Sequence, residues 1–322
     1  MSDNDRTIDG LENVPDSLRG CVLTVGNFDG VHLGHQRILH AARSLGESSG
    51  APVAAMALEP PPDLVLRPAD TPQRLTPLPQ KRELLARHGA GWVVVARADG
   101  ELLGMSPEEF IDRVVVGRFA PSHVVEGPDF FFGRGRAGNV DVLRAAGRSR
   151  QFAVHVVQTV TLDMPEGPQR VSSTLIRRLV AEGRAADAAR CLGRPFALYG
   201  SVIAGAGHGR VIEFPTANID AGEQVVPADG VYAGRAEIAG SELPAAISVG
   251  TKPTFGPTPR TIEAFLIGGG GDYYNQPMAL SFLERLRDQR RFDGIKELRA
   301  QIAKDVQRVR EICGRRPPRW GG

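Results

Sequence analysis

Near residue 190 the chain changes texture, and that change constrains the fold more than any other feature of the sequence. Before it, β-branched apolar runs alternate with segments of helical periodicity. CVLTVGNF, from Cys21, breaks at Asp29-Gly30 and is followed by LGHQRILHAARSLG, with Ile38, Leu39, Ala42 and Leu45 at helical spacing. Apolar runs at 53–58, 92–96, 122–126 and 152–157 are separated by helix-like segments at 80–88, 107–116 and 139–146. Strands alternating with helices predict a parallel, Rossmann-like α/β sheet with ligand chemistry at the carboxyl ends of its strands. After Ser172 two short helices are each stopped by a glycine, Gly183 and Gly193. From Phe196 to Phe282 the pattern becomes short alternating segments between Gly/Pro turns, which predicts an antiparallel barrel or sandwich. An amphipathic helix over 295–312 and a tail, GRRPPRWGG, close the chain. We read two domains, 1–185 and 186–322, a division that 322 residues can support with two separate cores.

Composition removes several function classes. With 39 Lys+Arg against 37 Asp+Glu the net charge is +2, too small to attract nucleic acid or a membrane surface by bulk electrostatics, so any polyanion must be met by a local site. Cys21, Cys191 and Cys313 are odd in number and far apart, which suits neither a disulfide framework nor a zinc ribbon and fits a reducing compartment. The N-terminus is acidic and polar, and no apolar run approaches the ~20 residues of a membrane span. A cytoplasmic protein is expected.

The run GNFDGVHLGH lies where the first strand gives way to the first helix. Gly26, Gly30 and Gly34 let a phosphate approach backbone N–H groups at the helix N-terminus, and His32 and His35, spaced i, i+3, can both face an anion there. On these residues alone a turn with two surface histidines and a two-histidine metal site stay open, although no nearby Cys or carboxylate cluster completes a ligand set. Far along the chain, VSSTLIRRL sets Ser172, Ser173 and Thr174 ahead of Arg177, and any one of those hydroxyls alone reads as an ordinary N-cap.

Taken together, GxFDGxHxGH and SSTxIR resemble the HxGH nucleotidyltransferases, and their spelling here is similar to the adenylyltransferase half of the prokaryotic bifunctional FAD synthetases. VVEGPDFFFG, with Asp129, Phe130 and Gly133, resembles that family's third element. The resemblance implies that Gly26, Phe28, Asp29, Gly30 and Gly34 bind ATP, and that His32 and His35 donate to its α-phosphate while a phosphate oxygen of FMN attacks. It further implies that Ser172, Ser173, Thr174 and Arg177 hold the outer phosphates, that Asp129 borders the flavin and that Mg²⁺ bridges the phosphates. One departure stands out: Glu59-Pro60-Pro61-Pro62 replaces the family's common PHP, so Pro61 removes one candidate phosphate donor.

In the second half, Gly205, Gly209 and Arg210 are compatible with a flexible hairpin loop, and Glu263 in TIEAF with an exposed strand carboxylate. PTAN at 215–218 and PADGVYAG at 227–234, however, resemble the flavokinase (riboflavin kinase) domain. That resemblance implies that Thr216 and Asn218 hold Mg²⁺, whose hard charge suits oxygen ligands. It assigns the ADP phosphates to Gly205, Gly209 and Arg210. Glu263 would take the proton of the ribityl 5′-hydroxyl as that oxygen attacks the γ-phosphate of ATP, and Arg287 with Phe292 would border the isoalloxazine pocket. The departures are Glu213 for a Gly, Lys252 for an Asn, Gly268 for an Asp, and DYYNQP for DLYG with Asp272 and Tyr274 retained. Glu213 is harmless to nucleotide binding if it points outward and repels it if it points inward.

The resemblance runs from about Cys21 to Ile312. It implies a Rossmann-like HxGH nucleotidyltransferase domain followed by a small antiparallel β-barrel flavokinase domain with a C-terminal helix. Riboflavin, FMN and ATP are the expected partners, FMN and FAD the products, with neither nucleic acid nor membrane involved; the sequence is silent on oligomeric state. Two rivals remain, an HxGH nucleotidyltransferase for another phosphorylated acceptor and a flavin- or nucleotide-binding regulator with one decayed site.

Overall fold

The apolar run after Cys21 becomes a central strand because nearly every residue in it is buried. A computed structural model describes residues 6–204, 214–251 and 260–315. Its contacts divide the chain into two units. One contains the chain up to Pro72 together with Thr76–Val171, and the other contains Gln73–Leu75 together with the chain from Ser172. The helices ending at Gly183 and Gly193 therefore group with the second unit.

In the first unit six parallel strands form one sheet: β1 (Thr7–Asp9), β2 (Val22–Gly26), β3 (Val53–Glu59), β4 (Trp92–Arg97), β5 (His123–Glu126) and β6 (Ala153–Val156). Their order is β1-β4-β3-β2-β5-β6, so the sheet winds one way from β2 to β4 and the other way from β5. The winding reverses between β2 and β5, and it is there that an open α/β sheet leaves a crevice at its carboxyl ends. Helices α1 (Leu33–Ser49), α2 (Pro62–Leu66), α3 (Leu78–Arg87), α4 (Gly100–Gly104), α5 (Pro107–Glu109) and α6 (Val140–Arg150) connect the strands. Among the elements not foreseen in the sequence are the short helices α2 and α4, the edge strand β1, too short to show a period, and the hairpin β7 (Thr161–Met164) and β8 (Gly167–Arg170). The helix expected over 107–116 is α-helical only through Glu109 and continues over Phe110–Phe119 with π winding. Its buried residues are Phe110, Ile111, Val114, Val115 and Phe119.

The second unit begins with α7 (Ser173–Ala181) and α8 (Ala185–Leu192). Of the two architectures open from the sequence, the structure adopts the barrel. It comprises β9 (Phe196–Ile203), β10 (Ala217–Asp220), β11 (Gly230–Ile238), β12 (Ser241–Gly250), β13 (Thr261–Leu266) and β14 (Pro277–Arg287), closed in the order β10-β13-β12-β11-β14-β9. On β14 Met278, Leu280 and Phe282 are buried at a strict period of two, each residue of this size contributing roughly 1.5–3 kcal/mol on burial. The last helix, α9 (Ile295–Gly314), lays Val306, Val309 and Cys313 against Ala233 and Ile267. All three cysteines are free and buried, and burial pushes the Cys21 thiol up to about 12. Among the described residues no helix is long and apolar enough to cross a membrane.

Candidate functional sites

In the first unit the loop that leaves β2 is built to present the helix end that follows it. Gly30 sits at φ +84°, in the left-handed region that a side chain resists, and turns the chain back toward α1. Phe28 is buried with Val31 and Leu39, its ring edge-on to His35 at 5.3 Å between centroids. Asp29 is buried too, and its Oδ1 accepts the Thr76 amide at 3.1 Å. Both side chains, assigned to ATP from the sequence, are thus engaged in holding the loop.

His32 is the N-cap of α1. Its Nδ1 accepts from the Gly34 and His35 amides at 3.1 and 3.4 Å. A nitrogen that accepts carries no proton, so the ring is neutral and its proton sits on Nε2. A Cβ at Gly34 would meet the His32 ring at 3.0 Å, which is why a glycine stands between the histidines. The two rings stack with centroids 3.7 Å apart. Burial, then His32, then Lys81 drive the His35 pKa well below its ordinary value. His35 Nδ1 and Asn27 Oδ1 are buried without hydrogen-bond partners, which marks this loop as a place for a ligand. The surface-histidine reading fails, since His32 is 7% exposed. Among the described residues no group of three or more His, Cys, Asp or Glu could hold a metal ion.

Three neighbours of this loop escaped the sequence reading: Asn27, Lys81 and Glu126. Lys81 on α3 is fully buried, its Nζ 3.2 Å from Glu59 Oε2 at the end of β3, two residues before Pro61. Glu126 at the end of β5 is also buried. Asp129, by contrast, is half exposed and ion-paired with Arg170.

In the second unit Ser172 is the N-cap of α7, its Oγ accepting the Leu175 amide at 3.2 Å, the role a lone hydroxyl suggested. Ser173 and Thr174 open the helix, and the Arg177 Nε donates to the Gln73 carbonyl at 2.8 Å, which orients the guanidinium.

The barrel assembles a second constellation through strand register. Asn218 on β10 lies directly opposite Glu263 on β13, and on its other side Glu263 lies opposite Ser248 on β12. Directly opposed residues share a face, and Thr216, two positions before Asn218, shares it as well. The Thr216 Oγ1 stands 3.3 Å from Glu263 Oε2. Glu263 is 6% exposed, so it is not a surface carboxylate. Oxygen donors of this kind, a hydroxyl, an amide and a carboxylate, fit a hard divalent cation. Ser248 accepts from Gln289 Nε2 at 2.8 Å and widens the polar patch; only the register shows that it belongs there. Arg287 forks onto the buried Asp305 carboxylate at 2.8 and 3.0 Å, which ties α9 to the end of β14. Its guanidinium carbon lies 5.7 Å from the centroid of the Phe292 ring. Gly205, Gly209, Arg210, Glu213 and Lys252 lie outside the described residues.

Comparison with known proteins finds a separate family model in each half of the chain. A family model for FAD synthetase matches residues 14–175 and one for riboflavin kinase matches residues 192–313. The bifunctional riboflavin kinase/FMN adenylyltransferase of Escherichia coli K12 is 36% identical over 97% of this chain and 99% of its own. The protein of the same name from Bacillus subtilis 168 is 33% identical over 89% of this chain and 90% of its own. A crystal structure titled as a macrolide-efflux protein from Streptococcus pneumoniae superposes with a TM-score of 0.83 at 26% identity, covering 95% of this chain and 99% of that one.

Proposed function

Since the chain belongs to the family of bifunctional riboflavin kinase/FMN adenylyltransferases, we propose that it phosphorylates riboflavin to FMN with ATP and then adenylylates FMN to FAD with release of pyrophosphate. The kinase step is assigned to the barrel and the adenylyl step to the HxGH domain, with the activities divided at residues 185–186.

The observation that carries the reading is the buried Glu263 carboxylate, set by register beside Thr216 and Asn218. A carboxylate on that face is suited to accept the proton of the ribityl 5′-hydroxyl while the oxygen attacks the γ-phosphorus and ADP leaves. The Thr216 hydroxyl and the Asn218 side-chain oxygen would hold a magnesium ion, which when bound supplies charge neutralisation at the nucleotide phosphates. In the adenylyl step a phosphate oxygen of FMN attacks the α-phosphorus of ATP, and no protein nucleophile is needed. His32 Nε2–H and the His35 ring are assigned to the α-phosphate oxygens, where charge grows in the transition state. Arg177, with Ser173 and Thr174 at the start of α7, is assigned to phosphate, which a guanidinium fork suits.

Incubating the protein with riboflavin, Mg²⁺ and ATP and separating the flavins by chromatography tests both assignments. Appearance of FMN and then FAD is expected. FMN without FAD would remove the adenylyl assignment. Flavin binding without turnover would favour a regulator and refute the enzyme.

A further inference from the structure

β2 and β5 are paired only at Val22↔His123 and Leu23↔Val124. Beyond those pairs the two strands diverge into the crevice where the sheet changes direction, and the amide of Val25 loses its strand partner. Glu126 supplies a substitute: its Oε1 accepts the Val25 N–H at 2.6 Å, across 101 residues of sequence, and the residue is 3% exposed. Its main chain meanwhile serves the next strand, the carbonyl accepting from Val157 N at 2.8 Å. One residue thus bonds β2 through its side chain and the β6 side of the sheet through its backbone.

We infer that Glu126 is a positioning residue of the adenylyl-transfer site: its carboxyl takes the hydrogen bond that β2 and β5 give up where they part, and so fixes the direction in which β2 delivers the loop to His32 and His35. The inference rests on the adenylyl assignment above. Val25 precedes Gly26, the last residue of β2, and the loop from Gly26 carries the His32 cap. An error in the strand's last peptide would therefore be passed to both imidazoles, and a misplacement of about 1 Å is enough to cost roughly a hundredfold in rate. Burial pushes the Glu126 carboxyl well above the usual carboxylate range, although the Val25 amide and the Thr24 hydroxyl both favour the anion. The bond to Val25 is made by one oxygen acceptor at the right reach, which the neutral amide of Gln also offers.

The experiment compares Glu126→Gln, Glu126→Asp and Glu126→Val. Gln keeps a neutral oxygen at the same reach; Asp is one methylene short; Val keeps strand propensity without an acceptor. For FAD formation from FMN and ATP, Gln should hold kcat within about threefold of the unaltered protein. Asp and Val should lose about ten- to a hundredfold in kcat with much smaller changes in KM, as expected for misplaced donors. FMN formation from riboflavin in the same preparations serves as the control for folding. Amide hydrogen exchange over residues 24–30 should quicken in Asp and Val but not in Gln. A Val variant with normal FAD formation overturns the proposal, and so does a Gln variant as slow as Val. If Val fails to fold, equal activity of Asp and Gln overturns it. Should the unaltered chain make FMN but no FAD, the adenylyl assignment falls, and unchanged exchange in Asp would then separately refute the positioning bond.

Discussion

His32 carries two loads that substitution can separate. It caps α1 through Nδ1, and it is assigned as a donor to the α-phosphate through Nε2. Removing a side-chain cap costs about 1 kcal/mol, within a range of roughly 0.5–2. At about 2–4 °C per kcal/mol for a domain of this size, His32→Ala should lower Tm by roughly 1–8 °C. A domain stable by about 5–15 kcal/mol stays folded at 25 °C after such a loss, so destabilisation cannot account for a large fall in rate. Loss of a transition-state donor should lower kcat for FAD formation by about 10²–10³-fold. Asn is among the best N-caps and offers no imidazole, so His32→Asn should recover most of the Tm while leaving the rate low. Thermal unfolding followed by circular dichroism and a chromatographic FMN-to-FAD assay read the two quantities, with riboflavin phosphorylation as the internal control. If His32→Asn restores FAD formation along with stability, the imidazole is a cap only and the chemical role is refuted.

Other residues make sharper demands on one measurement each. Glu263→Gln keeps the volume of the buried side chain and should slow FMN formation by about 10²–10⁴-fold with flavin binding and FAD formation from FMN intact; full FMN formation would refute the base. Because His35 is depressed well below 6.5 in the folded protein, its contribution to stability is fully present above about pH 6.5 and is lost as pH falls from there through the depressed value. Chemical unfolding between pH 7.5 and 5 should show that loss, and His35→Gln should flatten it. Arg287→Ala leaves the buried Asp305 without its main cation and should destabilise the barrel unit by roughly 3 kcal/mol in denaturant unfolding.

Local pattern made the parallel sheet, the antiparallel character of the second half, α1 and the Ser172 cap legible, because each depends on residues a few positions apart. The π winding of Phe110–Phe119 was not, since over so few residues its apolar spacing is indistinguishable from an α-helical stripe. The His32 cap lies outside the usual Ser, Thr, Asp and Asn set, and the sequence offers anion, metal and surface readings of that histidine but not a cap. Asp29 with Thr76, Glu126 with Val25, Asp129 with Arg170 and Arg287 with Asp305 are all pairs that chain folding alone brings together. Glu263 and Asn218 were named from a motif, but their shared face is a matter of register, which a one-residue slip would have reversed.

The source of positive charge in the adenylyl site follows from the same geometry. Two imidazoles stacked at 3.7 Å resist double protonation, and His32 accepts at Nδ1, so it is neutral. His35 is driven further from protonation by burial and by the nearby Lys81 ammonium. That ammonium is in turn held by Glu59, in the segment where Pro61 replaces the histidine common in the family. On the proposed assignment the histidines would act as neutral hydrogen-bond donors, and Pro61 would remove a donor without removing a charge the site depends on. It follows that kcat for FAD formation should stay flat as pH rises from 6 to 8, through the ordinary histidine pKa of about 6.5. A cationic histidine would instead impose a falling limb centred near that value. Measured at saturating ATP and FMN, such a limb would refute the neutral-donor account, provided it vanishes in His35→Gln and so belongs to the pair.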